Sequence, residues 1–163
     1  MGNIMDYIEW RGDLPFTQSE FNDVDNLILA CFSYVNLDGI QEAASQNGIE
    51  LKALTEKFLQ LHTEKELKED KSFIRFAPFM MLEMAKTERF GQCVIRNYVN
   101  EIVAEEAQQF SAVEICLSDG TSYISFRGTD DTIVGWKEDF NLSTGVVPAQ
   151  ERAVEYLRRI AGS

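Results

Sequence analysis

"QFSAVEICLSDGTSYISFRGT", residues 109–129, decides how this chain is read. Two short runs rich in β-branched and aromatic residues, Gln109–Leu117 and Thr121–Gly128, flank Ser118-Asp119-Gly120. Asp-Gly supplies the positive φ angles of a tight hairpin, so the two runs are expected to be antiparallel neighbours. A third run of the same kind, "NYVNEIVA" (97–104), precedes them. The second hairpin strand then stops in an unusual way. It ends on Phe126-Arg127-Gly128-Thr129, and Asp130, Asp131 and "GWKEDF" (135–140) follow.

Upstream, the spacing of apolar residues is helical. From Asn22 to Val35 it places Val24, Leu27, Ile28, Cys31, Tyr34 and Val35 on one face, with Asn22 or Asp23 as the cap and Asp38-Gly39 as the stop. Ile49–His62 repeats the pattern through Leu51, Leu54, Phe58 and Leu61, and Thr63–Lys71 is a charged, solvated face or loop. Phe76–Thr87 is apolar nearly all round, with Pro78 in its first turn and Gly91 beyond its end; its methionines are expected to fill core gaps. Downstream, residues 149–162 form a last helix with an apolar stripe of Ala153, Val154, Leu157, Ile160 and Ala161. The chain therefore reads as one α/β domain, mainly helical over 1–91, with a sheet, a polar turn and helices over 92–163.

Composition narrows the function. The net charge of −12 repels nucleic acid and anionic lipid surfaces. Cys31, Cys93 and Cys116 are widely spaced in apolar runs and read as small buried hydrophobes of a reducing compartment. No export signal or membrane-length apolar run is visible, so a cytoplasmic location is expected. No cofactor or metal motif stands out. Asp130 and Asp131 lack an accompanying histidine or third acid, and "NLDG" (36–39) lacks the ligands of a calcium loop. Arg11-Gly12-Asp13 reads as a turn, and His62, the single histidine, as a surface side chain at a helix end.

Chemistry concentrates at 127–139. Gly128 lets the backbone approach a ligand without a Cβ in the way, and Thr129 adds a backbone N–H and a hydroxyl at the rim of a sheet. Donors fixed in that manner stabilise the oxyanion of an acyl transfer. Arg127, always charged, needs a carboxylate there, and Asp130, Asp131 and Asp139 are the candidates. Trp136 is suited either to core packing or to facing an acyl chain.

"FRGTDD…GWKEDF" resembles the oxyanion segment of the lipase-like α/β hydrolases, where a strand ends in F-R-G-[ST] and a W-x-x-D stretch opens the next helix. The layout as a whole is similar to the N-terminal half of an uncharacterised bacterial family placed among them. The resemblance implies that Thr129 is the oxyanion residue, that Arg127, Gly128, Asp130, Trp136 and Asp139 support it, and that 130–146 form a lid or lid-side helix. It also implies an ester or related acyl substrate. Yet no G-x-S-x-G elbow occurs in the sequence, and the downstream acid and histidine are missing. The expectation is thus the truncated, N-terminal portion of a serine hydrolase, inactive alone and prone to self-association through an exposed sheet edge. A non-catalytic interaction protein with a relic hydrolase-like turn is the alternative.

Overall fold

Asn3 and Asn22 each open a helix by the same device. In the computed structural model, which describes residues 3–70, 75–103, 108–127 and 148–162, Asn22 Oδ1 accepts from the N–H groups of Val24 and Asp25 at 2.9 and 3.1 Å. Asp25 Oδ2 accepts in return from Asn22 N–H at 3.0 Å. This reciprocal box satisfies donors that a helix start leaves open, an arrangement worth about 1 kcal/mol. It sets the start of α2 (Asp23–Phe32) as α1 (Ile4–Arg11) is set by Asn3 and Asp6.

The remaining helices before the sheet are α3 (Gln41–Ala44), α4 (Leu51–Leu61), α5 (Glu64–Glu69), α6 (Ala77–Ala85) and α7 (Glu88–Gly91). Strands β2 (Val94–Val103), β3 (Gln108–Cys116) and β4 (Ser122–Phe126) follow, and α8 spans Pro148–Ala161. A two-residue strand, β1 (Ile49–Glu50), pairs antiparallel with β2 through Ile49 opposite Ile95 and Glu50 opposite Val94. The sheet is antiparallel, in the order β1-β2-β3-β4. The hairpin expected at 118–120 is present: Gly120 has φ +88°, Gly120 N–H donates to Leu117 O, and Asp119 Oδ1 accepts from both the N–H and the hydroxyl of Thr121.

The chain divides into two compact units. Unit 1 holds Met1–Tyr98 and Val113–Ser125; unit 2 holds Val99–Ala112 and Phe126–Ser163. The core of unit 1 gathers Ile8 from α1, Ile28, Leu29 and Phe32 from α2, Leu51, Leu54 and Phe58 from α4, and Met80, Met81 and Met84 from α6. These methionines are all but fully buried, as expected of gap-fillers, and each such burial contributes about 1.5–3 kcal/mol. In unit 2, Phe110, Phe126 and Tyr156 form a ring triangle with centroids 5.9–6.1 Å apart.

Several expectations shift. The buried face of α2 is Asp25, Ile28, Leu29 and Phe32, while Val24 and Leu27 of the expected stripe are exposed, Leu27 by 51%. The helix also stops at Phe32, six residues before Asp38-Gly39. On α8 the fully buried side chain is Tyr156, whereas Val154 and Leu157 are 47% and 42% exposed. Thr63–Lys71 contains α5, capped by Thr63 and Glu66 and with no buried residue, so it is a solvated face that is helical. Arg11-Gly12-Asp13 is a turn, as expected; it closes α1, and Gly12 O accepts from Arg89 N–H at 3.0 Å.

Candidate functional site

The residue that follows β4 is held on two sides. One residue past β4, Arg127 N–H donates to Ser111 O of β3 at 2.9 Å, and Ser111 is itself buried, its hydroxyl donating to Val99 O at 3.1 Å. The Arg127 guanidinium donates through Nη2 to Asn100 Oδ1 of β2 at 3.0 Å. Backbone and side chain of Arg127, which immediately precedes Gly128 in the sequence, are therefore both tied to strand residues of unit 2. Gly128, Thr129, Asp130, Asp131, Trp136 and Asp139 lie outside the described residues, and with them the expected pairing of Arg127 with a carboxylate.

Asn100 and Ser111 were missed by reading the sequence, since nothing local marks either. The only available sign was strand register. If 121–127 and 109–117 form a hairpin about 118–120, Arg127 falls opposite the start of the preceding strand, where Ser111 lies.

Around this anchor the unit is aromatic and charged. Arg152 of α8 holds both carboxylate oxygens of Glu101 through Nη2, at 2.7 and 2.6 Å, and Glu155 through Nη1 at 3.2 Å. The Glu101 hydrogen bond is the main cause that raises the Arg152 guanidinium above its usual range.

A second polar cluster, on the sheet of unit 1, centres on Glu114. Its carboxylate is buried, receiving Arg96 Nε and Nη2 at 2.9 and 2.8 Å, Asn97 Nδ2 at 2.7 Å and the Ser122 hydroxyl at 2.9 Å. Burial alone pushes this carboxyl up, but the bonds from Arg96, Asn97 and Ser122 together outweigh it and hold the group below the usual range. Asn97 has φ +54°, and its N–H turns away from the ladder to Ser45 O at 3.0 Å. The cluster ties β2, β3 and β4 together. Its chemistry is structural: a carboxylate held well ionised is a poor base for the Ser122 hydroxyl that it already binds.

The remaining candidates are inert. Burial is the main cause that pushes the Cys93 thiol up to about 12, which keeps it protonated near neutral pH, and Cys31 and Cys116 are raised by the same cause. His62 ends α4 with its ring stacked on Phe58, 4.4 Å between centroids. Among the described residues no helix is long and apolar enough to cross a membrane.

Residues 84–163 match a family model described as Mbeg1-like. The matched stretch runs from the end of α6 through the three long strands and the F-R-G-T segment to α8. No curated protein and no solved structure matches the chain.

Proposed function

We propose that this chain is the N-terminal portion of a lipase-like serine hydrolase and supplies its oxyanion-binding side. The observation that carries the reading is the double anchoring of Arg127, by Ser111 O and Asn100 Oδ1, one residue beyond β4 and one before Gly128 in the sequence. A donor stabilises a transition state only when its position is set before reaction, and a strand end fixed on two sides meets that need. In this reading a serine Oγ gives its proton to a histidine as it attacks the ester carbonyl carbon, and the carbonyl oxygen, becoming an oxyanion, accepts from Thr129 N–H and Oγ1–H. The alcohol leaves with a proton from a histidine, and water then releases the acid from the acyl-enzyme.

The sequence holds no G-x-S-x-G serine, so these 163 residues bind without turning over. The chain alone is expected to leave nitrophenyl esters uncleaved and a fluorophosphonate probe unreacted. A polypeptide that includes the following strand is expected to label at its elbow serine, and Thr129→Val in it slows hydrolysis by about 100-fold if the hydroxyl is a donor. Stoichiometric labelling of the 163-residue chain would sink the reading, because an unrecognised nucleophile would then already be present.

The same reading assigns the outer side of β4, which ends the strand order among the described residues, to the nucleophile strand or to a second copy. Sedimentation of the 163-residue chain is expected to show dimers or larger species; a monomer at high concentration removes the second-copy role.

A non-catalytic interaction protein is favoured by one observation. Trp10 of α1 is 75% exposed beside Val24 and Leu27 of α2, and these three line an apolar groove with Ile4 and Tyr7. An extended polypeptide that stays unlabelled by the probe decides for it.

A further inference from the structure

We propose that the groove between α1 and α2, on unit 1, docks a basic amphipathic helix of a partner protein. The groove has about 620 Å³ of space; Ile4 and Trp10 come to it from α1, and Val24 and Leu27 from α2. Tyr7 lies between the helices, its hydroxyl donating to the buried Asp25 at 3.1 Å and accepting from Asn22 Nδ2 at 2.7 Å. Both helices pack on α6, so the two walls stand on one base. Trp10 is the most exposed large apolar side chain among the described residues, and tryptophan is the residue type that most often anchors an interface.

Charge and backbone chemistry select the partner. The exposed charged residues of the two helices are all acids, Asp6 and Glu9 on α1 and Asp23 on α2. Helical spacing sets Asp6 beside Trp10 and Asp23 beside Leu27, each pair four residues apart. Asp6 accepts from Asn3 N–H, which leaves its charge in place, and among the described residues none of the three carboxylates is in an ion pair. The one base of these helices, Arg11, is half-buried with its guanidinium 5.0 Å from the Trp10 ring centre. Lysine or arginine flanking an apolar stripe therefore meets acids beside both walls. A second copy is disfavoured, because two-fold pairing of this face sets the same acids against one another, in a chain of net charge −12. An anionic lipid surface is repelled likewise. An extended strand finds no open edge here, since both walls are helices that satisfy their own backbone. A third helix needs no such edge and lays side chains at three-and-four spacing into the groove. The surface serves either reading of the function, and its test measures no hydrolysis.

The test is a titration of the 163-residue chain with a leucine–lysine peptide of about 18 residues, above the length at which an isolated helix is marginal, its leucines on one face. The methyl NMR signals of Ile4, Val24 and Leu27 report binding. Saturable shifts centred on these three are expected, weakening as salt is raised, with the leucine–glutamate counterpart binding at least ten-fold more weakly. Leu27→Lys, at an exposed position, is expected to weaken the lysine peptide at least ten-fold. Glu9→Gln/Asp23→Asn, which spares the capping Asp6, weakens it several-fold. Leu59→Lys, equally exposed but on α4, leaves binding unchanged and controls for the added charge. Shifts spread over the chain rather than centred on the groove, equal binding of the two peptides, or a Leu27→Lys protein that binds as before would each overturn the proposal. So would groove shifts that follow protein concentration without peptide, which assign the face to a second copy, or groove shifts with phosphatidylglycerol vesicles, which assign it to a membrane.

Discussion

Arg89→Ala is expected to lower the unfolding free energy by about 3–5 kcal/mol, the range for breaking a buried ion pair by removing one partner. Arg89 and Asp25 both have side chains with no solvent exposure. The guanidinium places all its N–H groups: Nε on Asp25 Oδ1 at 3.0 Å, Nη2 on Asp25 Oδ2 at 2.6 Å and Glu20 O at 3.1 Å, and Nη1 on Leu14 O and Ser19 O at 2.8 and 2.9 Å. It also lies over the Phe16 ring, 4.0 Å from its centre. Burial opposes the charge, but the Asp25 carboxylate, bonded to it and close by, more than offsets this, and Arg89 titrates above its usual range. It thus stays charged at every pH at which the protein folds. One side chain fixes the whole passage from α1 to α2, because three of its five bonds go to carbonyls of residues 14–20. For the same reason, an apolar replacement of both partners is not expected to restore stability, as it does for simpler buried pairs, since those carbonyls lose their donor. For a chain of this length the loss corresponds to a fall in Tm of roughly 6–20 °C. Urea denaturation of the wild type, Arg89→Ala and the Asp25→Leu/Arg89→Leu double variant measures it. An Arg89→Ala protein within 1 kcal/mol of wild type would show that the pair is no anchor.

That ion pair also explains what the sequence hid. The apolar periodicity of 22–35 points to Val24, Leu27, Ile28, Cys31, Tyr34 and Val35; Ile28 and Val35 are buried, but Val24 and Leu27 are exposed, and Asp25, Leu29 and Phe32 complete the inward face of the helix. A stripe found by counting apolar residues cannot include an aspartate, and its partner stands 64 positions away with no local mark. The α8 stripe goes astray similarly. Tyr156 and the stem of Arg152 face inward, and amphipathic side chains of this kind hide from a hydrophobic count. Local devices were legible because their causes are local: the Asn22 cap, the Pro78 helix start and the Asp119-Gly120 hairpin each reside in a few adjacent residues. At the candidate site, the end of β4 at Phe126, with Arg127 one residue beyond it, follows from the hairpin. Asn100 and Ser111 could not be read, because they depend on the pairing of strands far apart in sequence.

Gly48→Ala is expected to cost about 2–5 kcal/mol, and Gly120→Ala is its control. Both glycines have left-handed φ, +72° and +88°, which an alanine tolerates at a cost of about 1–2 kcal/mol. Their surroundings differ. A Cβ on Gly120 meets nothing within 4 Å, so only the backbone term applies there. A Cβ on Gly48 comes within 2.7 Å of Ile95 O, Arg96 Cβ and Val94 Cγ1, that is, of the strand β2 itself. Relief requires β2 or the 45–50 segment to move, and forced shifts of that kind add about 1–3 kcal/mol. The consequence is structural as well as energetic. Gly48 immediately precedes the Ile49–Ile95 pair, and Leu51 N–H, at the start of α4, donates to Cys93 O at 2.8 Å. Pushing the segment away loosens β1 from the sheet and the first turn of α4 together. Chemical denaturation of both variants separates the contributions: the Gly120→Ala loss reads φ alone, and the excess at Gly48→Ala reads the contact. Equal losses for the two would mean that β2 yields freely, and that the close approach at Gly48 does not hold β1 in register.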